Sequence, residues 1–353
     1  MRPHSTSLPG DIQVLDPLQH PNWDGLLSGH ASACFFHTRA WAAVLRDTYG
    51  HKPAYVCRFL NGQLDAVLPL MEVSSSLTGR RGVSLPFTDA CESVHSTPGD
   101  CRALYEAAMR VGQERGWRYL ECRAASSDWA GSSPSLEFWG HTVELEGGPD
   151  ALFRRLDSSI RRGIRKAEAS GLRIEFGSTL EAILDFFALH CGTRRRHGVP
   201  PQPVQFFENI VRNVFALGNG FVVTAHYEQK PVAAAVFFQS GRRAIYKFGA
   251  SDYAWQHLRP NNLVMWGAIK RLAEQGFMRL DMGRTSMSNE GLQRFKLGFG
   301  AREEKIEYCR YDYAKRSFVR DIDRAEGWAN HVFRLLPPFL FRAAGRMLYP
   351  HLS

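Results

Sequence analysis

An internal duplication constrains this chain more than any other feature of its sequence. LYEAAMRVGQERGWRYLECR can be laid on LVMWGAIKRLAEQGFMRLDMG, with Gly116 over Gly276, Trp117 over Phe277 and Glu121 over Asp281. Each copy reads as an amphipathic helix ended by glycine and followed at once by a strand. A hairpin pattern lies upstream of each. PAYVCRFL and LDAVLPLMEV are joined across Asn61-Gly62, and FVVTAHY and PVAAAVFFQ flank Glu228-Gln229-Lys230. Asn-Gly supplies the positive φ angles that a two-residue turn requires. Helical patterns come before both hairpins, Thr38–Tyr49 in the first half and Leu180–Leu189 with Phe206–Leu217 in the second. Repeats this long are duplicated domains and not a solenoid. Strands followed by a helix that crosses to another strand predict an α/β fold with a mixed sheet, built twice.

The polar residues gather in the second copy. Asn261 and Asn262 stand where its helix begins, positions suited to satisfying open N–H groups. Leu263, Trp266, Ile269, Leu272 and Ala273 recur at helical spacing until Gly276, and a strand Phe277–Met282 runs into Asp281, Gly283 and Arg284. A second helix near Gly291–Leu297 brings Arg294 and Lys296 close behind. Open helix N–H groups with Arg and Lys on neighbouring loops suit an anionic or acyl ligand. The first copy lacks both the LDMGR and the RFK residues, so one reactive domain and one supporting or acceptor-binding domain are expected.

With RPNN at the helix start, LDMGR at the strand end and GLQRFKLGFG beyond it, the chain resembles the FemAB-like aminoacyl/acyltransferases of the GNAT superfamily. RRGIRKAEASG from Arg161, TVELEGGPDALFRRL before it, KPVAAAVFF and AIYKFGAS extend the likeness across roughly residues 35 to 320. It is strongest after Leu152, and most like the proteobacterial branch associated with envelope polysaccharide and PEP-CTERM export. The resemblance implies tandem GNAT-like domains over residues 1–146 and 147–318, the second with the acyl-transfer site. Residues 319–353 would then be an amphipathic segment that packs on the first domain or lies on a membrane surface.

The implied activity is transfer of an acyl or aminoacyl group from acyl-CoA or aminoacyl-tRNA as co-substrate, with no tightly bound cofactor and no metal. The acceptor would be an amine on a cell-envelope glycan, lipid-linked or nucleotide-linked precursor. The resemblance also puts Phe295 and Lys296 beside the donor and Arg194–Arg196 beside the acceptor cleft. Two departures matter. No Q/R-x-x-G-x-G/A pyrophosphate loop precedes the Asn262 helix, which weighs against coenzyme A and leaves aminoacyl-tRNA open. Ala90 and Cys91 follow Asp89 where the family often has glycines.

Direct attack of an amine on an activated acyl group needs no covalent enzyme intermediate; it needs positioning, proton removal and charge stabilisation. G-x-S-x-G is absent, and no Cys/His pairing stands out. Lys296, in a short polar helix expected at the surface, is the first candidate for the oxyanion or a phosphate. Its truncation would then cost stability only on the order of 0.5 kcal/mol. Asp281 and Arg284 meet the ligand or pair with each other. Tyr246 is a proton donor or a core tyrosine. The helix from Leu152 to Ser170 carries Arg161 and Arg165, and Arg194 and Arg196 precede the proline-rich GVPPQP loop; these arginines grip phosphate or are solvated. Asp89, Arg284 and Phe295 complete the substrate set, with Asn261 and Asn262 on the donor side.

Composition sets the outer limits. The chain has 353 residues, 44% of them hydrophobic, enough for two cores, and a formal charge of +9 that suits an anionic partner such as a phosphorylated substrate, tRNA or a membrane surface. No apolar run of about 18 residues occurs, so a cytoplasmic protein is expected, with the C-terminal WANHVFRLLPPFLFRAAGRMLYPHLS as its candidate contact with the inner membrane face. Seven cysteines without metal spacing read as free, mostly buried thiols. The rival readings are a non-catalytic accessory protein of an export system and a general RNA-binding protein.

Overall fold

A computed structural model of the chain describes residues 11–95, 97–124, 134–321 and 328–352. They divide into two compact units, the first comprising residues up to 137 with 306–321 and 350–352, the second 138–305 with 328–349.

In the first unit, β1 (Ile12–Leu15), β3 (Tyr55–Leu60) and β4 (Gln63–Leu68) form a small antiparallel sheet. Asn61 and Gly62, with φ of 51° and 77°, make the turn between β3 and β4 that the sequence predicts. A second run of strands has the order β2 (Lys52–Pro53), β5 (Met71–Ser75), β6 (Gly79–Val83), β7 (Tyr119–Arg123) and β14 (Arg302–Asp312). Helix α1 (Arg39–Tyr49) buries Trp41, Val44 and Leu45, and α2 (Pro98–Glu114) lays Leu104, Tyr105, Ala108 and Val111 on Val56, Leu68 and Leu120.

The second unit orders its strands β8 (Leu136–Glu144), β13 (Arg279–Ser286), β12 (Arg243–Ser251), β11 (Lys230–Ser240), β10 (Gly220–Tyr227) and β9 (Arg173–Gly177). Only β12 and β13 run parallel, so the sheet is mixed as expected. Helices α3 (Gly148–Arg155), α4 (Ser158–Ala169) and α7 (Pro260–Glu274) share a core with Val223, Ala235 and Phe237. Phe186 on α5 (Leu180–His197) and Phe206 and Phe207 on α6 (Val204–Asn213) pack around Phe248 of β12.

Several sequence expectations need correcting. The helix expected over Leu152–Ser170 is two helices, because Leu156 leaves the helical region (ψ 146°) to bury its side chain. Arg154 and Arg155 therefore do not continue the face of Arg161 and Arg165. The division between residues 146 and 147 moves to 137 and 138, since β8 pairs with β13, Val143 opposite Leu280. Residues 306–318 group with the first unit, where Tyr308–Asp312 pair with β7.

The C-terminal helices α9 (Trp328–Leu335) and α10 (Pro338–Leu348), expected with the first unit or on a membrane, belong to the second unit. Gly345 lies so close to Pro201 that a Cβ would collide with its carbonyl oxygen. Only the last residues join the first unit, where Arg81 donates to the His351 carbonyl at 2.7 Å. Among the described residues no helix is long and apolar enough to cross a membrane.

Candidate acyl-transfer site

Two neighbouring strands of the second unit part company. β12 and β13 pair in parallel at Arg243–Arg279, Ala244–Leu280 and Ile245–Asp281, and there the pairing stops. Beyond it β12 continues to Ser251 on β11, and β13 continues to Ser286 on β8. The result is a fork that opens toward the C-terminal ends of both strands, the side on which α/β sheets bind ligands. Each prong carries a bulge just past the last paired residue. Val236 and Phe237 oppose Phe248 and Tyr246, leaving Lys247 as the extra residue of β12, and the β13 ladder slips between Asp281 and Arg284. Gly283 takes φ 71° in that slip, a conformation that favours glycine, and donates its N–H to Asp281 Oδ1 at 2.7 Å. Asp281 thus fixes the bulge.

Lys296 lies on α8 (Glu290–Leu297), but not at the surface. Its exposure is 2%, and its ammonium donates to the carbonyls of Gly283 at 2.7 Å and Arg284 at 3.0 Å. The expectation of an exposed, cheaply truncated lysine is therefore corrected. The β13 slip turns carbonyls out of the ladder, and a buried cation satisfies them. Arg284 reaches over the Phe138 ring, 4.1 Å from its centroid. Phe295 packs against the core of the unit and lies 5.1 Å from Phe299, ring to ring, so it is wall before it is ligand contact.

His141, which the sequence reading passed over, completes this cluster. It is buried on β8, 3.1 Å from Glu303 Oε2 through Nε2 and 3.5 Å from Thr285 Oγ1 through Nδ1. Burial, followed by the charge of Lys296, lowers its pKa, while Glu303 pulls the other way. Gln293 of α8 donates to the same Glu303 oxygen at 2.7 Å. A neutral imidazole oriented by a carboxylate is a suitable proton acceptor. A single histidine directly before the strand pattern TVELEG carries no sequence signal for such a role.

On the other prong, Tyr246 follows the last paired residue directly. Its hydroxyl lies over Gly249, where any Cβ would strike it, and burial pushes its pKa up to about 12. The phenol therefore stays protonated, as a donor must. At the end of β12, Asn261 Nδ2 approaches Ser251 Oγ at 3.3 Å, and Arg196 donates to the Ser251 carbonyl at 3.1 Å while covering the Tyr253 ring. Neither Asn261 nor Asn262 caps α7. That position belongs to Arg259, left-handed at φ 63°, with Pro260 opening the helix. Asn262 instead abuts Gly163 of α4.

The remaining candidates scatter. Arg194 turns to the C-terminal helices, where it donates to the Tyr349 hydroxyl at 2.6 Å, so the expected pair Arg194 and Arg196 is split. Arg165 is exposed and lies over the Phe153 ring, and Arg161 is half-buried on the same helix. Asp89 sits in the first unit, its carbonyl accepting from Tyr308 at 2.5 Å. In that unit the position matching Asp281 is Glu121, buried between Arg123 at 3.1 Å and Arg310 at 2.6 Å, which together hold its carboxyl below the usual range against the cost of burial.

A Cys/His pairing does exist, contrary to the sequence reading. Cys34 Sγ lies 3.3 Å from His37 Nδ1, and Cys91 Sγ lies 3.9 Å from Nε2. The Glu92 carbonyl, 2.9 Å from Nε2, holds the proton there and leaves Nδ1 facing the Cys34 thiol. The Cys34 pKa is held well below the thiol range, with the hydrogen bond from Cys91 leading, burial opposing and the charge of His37 adding. All seven cysteines are free, and no group of three or more potential ligands among the described residues is arranged for a metal.

Residues 154–305 match the family model described as an acetyltransferase (GNAT) domain. No curated protein matches the chain. Among solved structures, FemX is similar with a TM-score of 0.67 at 14% identity, covering 86% of this chain and 98% of its own. A tandem GNAT protein from the clavulanic acid biosynthesis pathway gives 0.52 at 10% identity, covering 85% and 98%. The C-terminal domain of a protein assigned as a lysylphosphatidylglycerol synthetase, from Agrobacterium fabrum, gives 0.52 at 15%, covering 81% and 89%. The chain is thus a mixed α/β protein that is similar to the acetyltransferase (GNAT) family over residues 154–305 and shares the fold of FemX and of a tandem GNAT protein over most of its length.

Proposed function

We propose that the second unit transfers an acyl or aminoacyl group from an activated ester or thioester to an amine, with the donor seated in the β12–β13 fork. One observation carries this reading. The parallel ladder ends at Ile245–Asp281 while both strands run on, and a buried lysine fixes the backbone where they part. A slot of that kind admits an extended acyl arm between two rows of backbone groups.

In the reaction, the acceptor nitrogen attacks the acyl carbon. A C–N bond forms, the C–O or C–S bond breaks, the amine loses a proton and the leaving group takes one. In this reading Tyr246, protonated at neutral pH, protonates the leaving group. Lys296 and Asp281 are positioning residues that hold the β13 bulge, and the Lys296 charge biases the site toward negative charge developing on the acyl oxygen. His141, kept neutral and oriented by Glu303, is the base of the cluster. The donor is acyl-CoA or aminoacyl-tRNA. The acceptor is an amine on an envelope glycan, lipid-linked or nucleotide-linked precursor, and the chain's positive charge favours such phosphorylated acceptors.

The test incubates the full chain with acyl-CoA or charged tRNA and a panel of amino-sugar nucleotides and amino lipids, read by mass spectrometry. Amide formation that is lost in Tyr246→Phe supports the reading. No amide with any donor, from a protein that melts cooperatively, overturns it in favour of a non-catalytic accessory role.

A further inference from the structure

The C-terminal helices present an apolar face on both sides. Phe341 and Gly345 on α10 and Tyr349 just past its end, four residues apart, form an inner stripe, and all three are buried. Gly345 lies against Pro201, and Tyr349 donates to the Pro200 carbonyl at 3.2 Å. Asn330 of α9 donates to the His197 carbonyl at 3.1 Å. The segment is therefore docked on the second unit, and its outer face should be polar. It is not. Leu335 is 83% exposed, Met347 72%, Phe339 68% and Val332 49%. Phe339, Ala343 and Met347 fall four residues apart on α10, and Leu335 ends α9 just before the Pro337–Pro338 break.

The charges beside this stripe have one sign. Residues 328–352 contain Arg334, Arg342 and Arg346, all exposed, and no Asp or Glu. Arg195, exposed in the last turn of α5 against which α9 packs, adds to them. A second copy of this chain fits poorly, because a two-fold contact would set arginines against arginines with no carboxylate between them. An anionic lipid surface answers both features, accepting the apolar side chains below its headgroups and the guanidinium groups at its phosphates.

We infer that α9 and α10 form a peripheral membrane-binding face, which seats the second unit on anionic lipid through Val332, Leu335, Phe339 and Met347 with Arg334, Arg342 and Arg346 at the headgroups. The inner stripe holds the helices to the protein, so the face is preformed and needs no folding on contact. This inference stands apart from the chemistry of the fork.

Flotation of the full-length protein decides it, with vesicles of phosphatidylcholine alone and of phosphatidylcholine mixed with phosphatidylglycerol. The wild type should float with the mixed vesicles and stay behind with the neutral ones. Leu335→Gln, Phe339→Gln and Met347→Gln together should abolish flotation without moving the melting temperature, since these side chains are exposed. Arg334→Gln, Arg342→Gln and Arg346→Gln should weaken it by about fivefold each, the equivalent of about 1 kcal/mol per basic residue near an anionic leaflet. Wild-type protein that ignores anionic vesicles, or an apolar triple variant that floats as well as wild type, overturns the inference. So does a wild-type dimer in solution that the apolar triple variant makes monomeric, which would assign the face to a second copy.

Discussion

Replacing Lys296 with Met tests the most consequential geometry of the second unit. The substitution keeps the length of the side chain but removes an ammonium that donates to Gly283 O at 2.7 Å and Arg284 O at 3.0 Å. A hydrogen bond from a charged donor contributes about 1.5–3 kcal/mol, and a carbonyl left buried adds its own desolvation cost. Against this, the mutant no longer desolvates a charge. A net loss of about 3 kcal/mol follows for the second unit, or about 6–12 °C in its melting temperature at roughly 2–4 °C per kcal/mol. A second reading comes from His141, whose pKa is lowered by burial and then by the Lys296 charge. Lys296→Met should raise the His141 pKa, visible by NMR titration of the imidazole. Differential scanning calorimetry of wild type and mutant measures the first effect. A mutant that melts within about 1 °C of wild type, well below the predicted shift, would show that the carbonyls of the bulge do not depend on Lys296, and the positioning role would fall.

Other outcomes follow from the same structure. His190 is buried beside Gln202, and its pKa is lowered to about 3, by burial and then by Arg194. Its folded pKa lies below the unfolded value near 6.5, so its contribution is complete above that pH and is lost as pH falls toward 3. The second unit should lose about 2 kcal/mol between pH 6.5 and pH 5, a slope that His190→Gln should flatten in urea titrations. Gly345→Ala should drive α10 off Pro201, seen as faster proteolysis after Arg342 or Arg346, whereas Gly192→Ala in α5, whose Cβ meets nothing within 4 Å, should leave cleavage unchanged. Cys34 should be the first thiol alkylated by iodoacetamide at pH 6.5, and His37→Ala should slow it; equal rates at Cys34 and Cys191 would contradict the pairing.

The duplicated helix–strand unit and the Asn61-Gly62 turn were legible because they rest on local rules, hydrophobic period and turn stereochemistry. The mixed α/β architecture followed from their order. Long-range pairing was not legible. Strand β13 runs to Ser286 rather than Met282 because β8 supplies partners for Arg284–Ser286, and no residue in LDMGRTS announces that. The same limit applies at the site. Lys296 was found by its motif but placed at the surface, since its burial depends on the bulge that pairing with β8 leaves in β13. Arg194 and Arg196 look alike in sequence, yet they lie in a helix that turns one toward Tyr349 and the other toward Ser251. His141 and the Cys34–His37 contact are invisible without the fold that assembles them.

The central claim is that the donor's acyl arm lies between β12 and β13. Photo-crosslinking tests it most directly, with a diazirine-bearing acyl group delivered as the coenzyme A thioester and as the aminoacyl-tRNA ester, followed by peptide mapping. Labels from at least one donor on residues 246–251 and 282–286, competed away by the unmodified donor, are the predicted result. Specific, competable labelling confined to residues outside those two stretches would contradict the account.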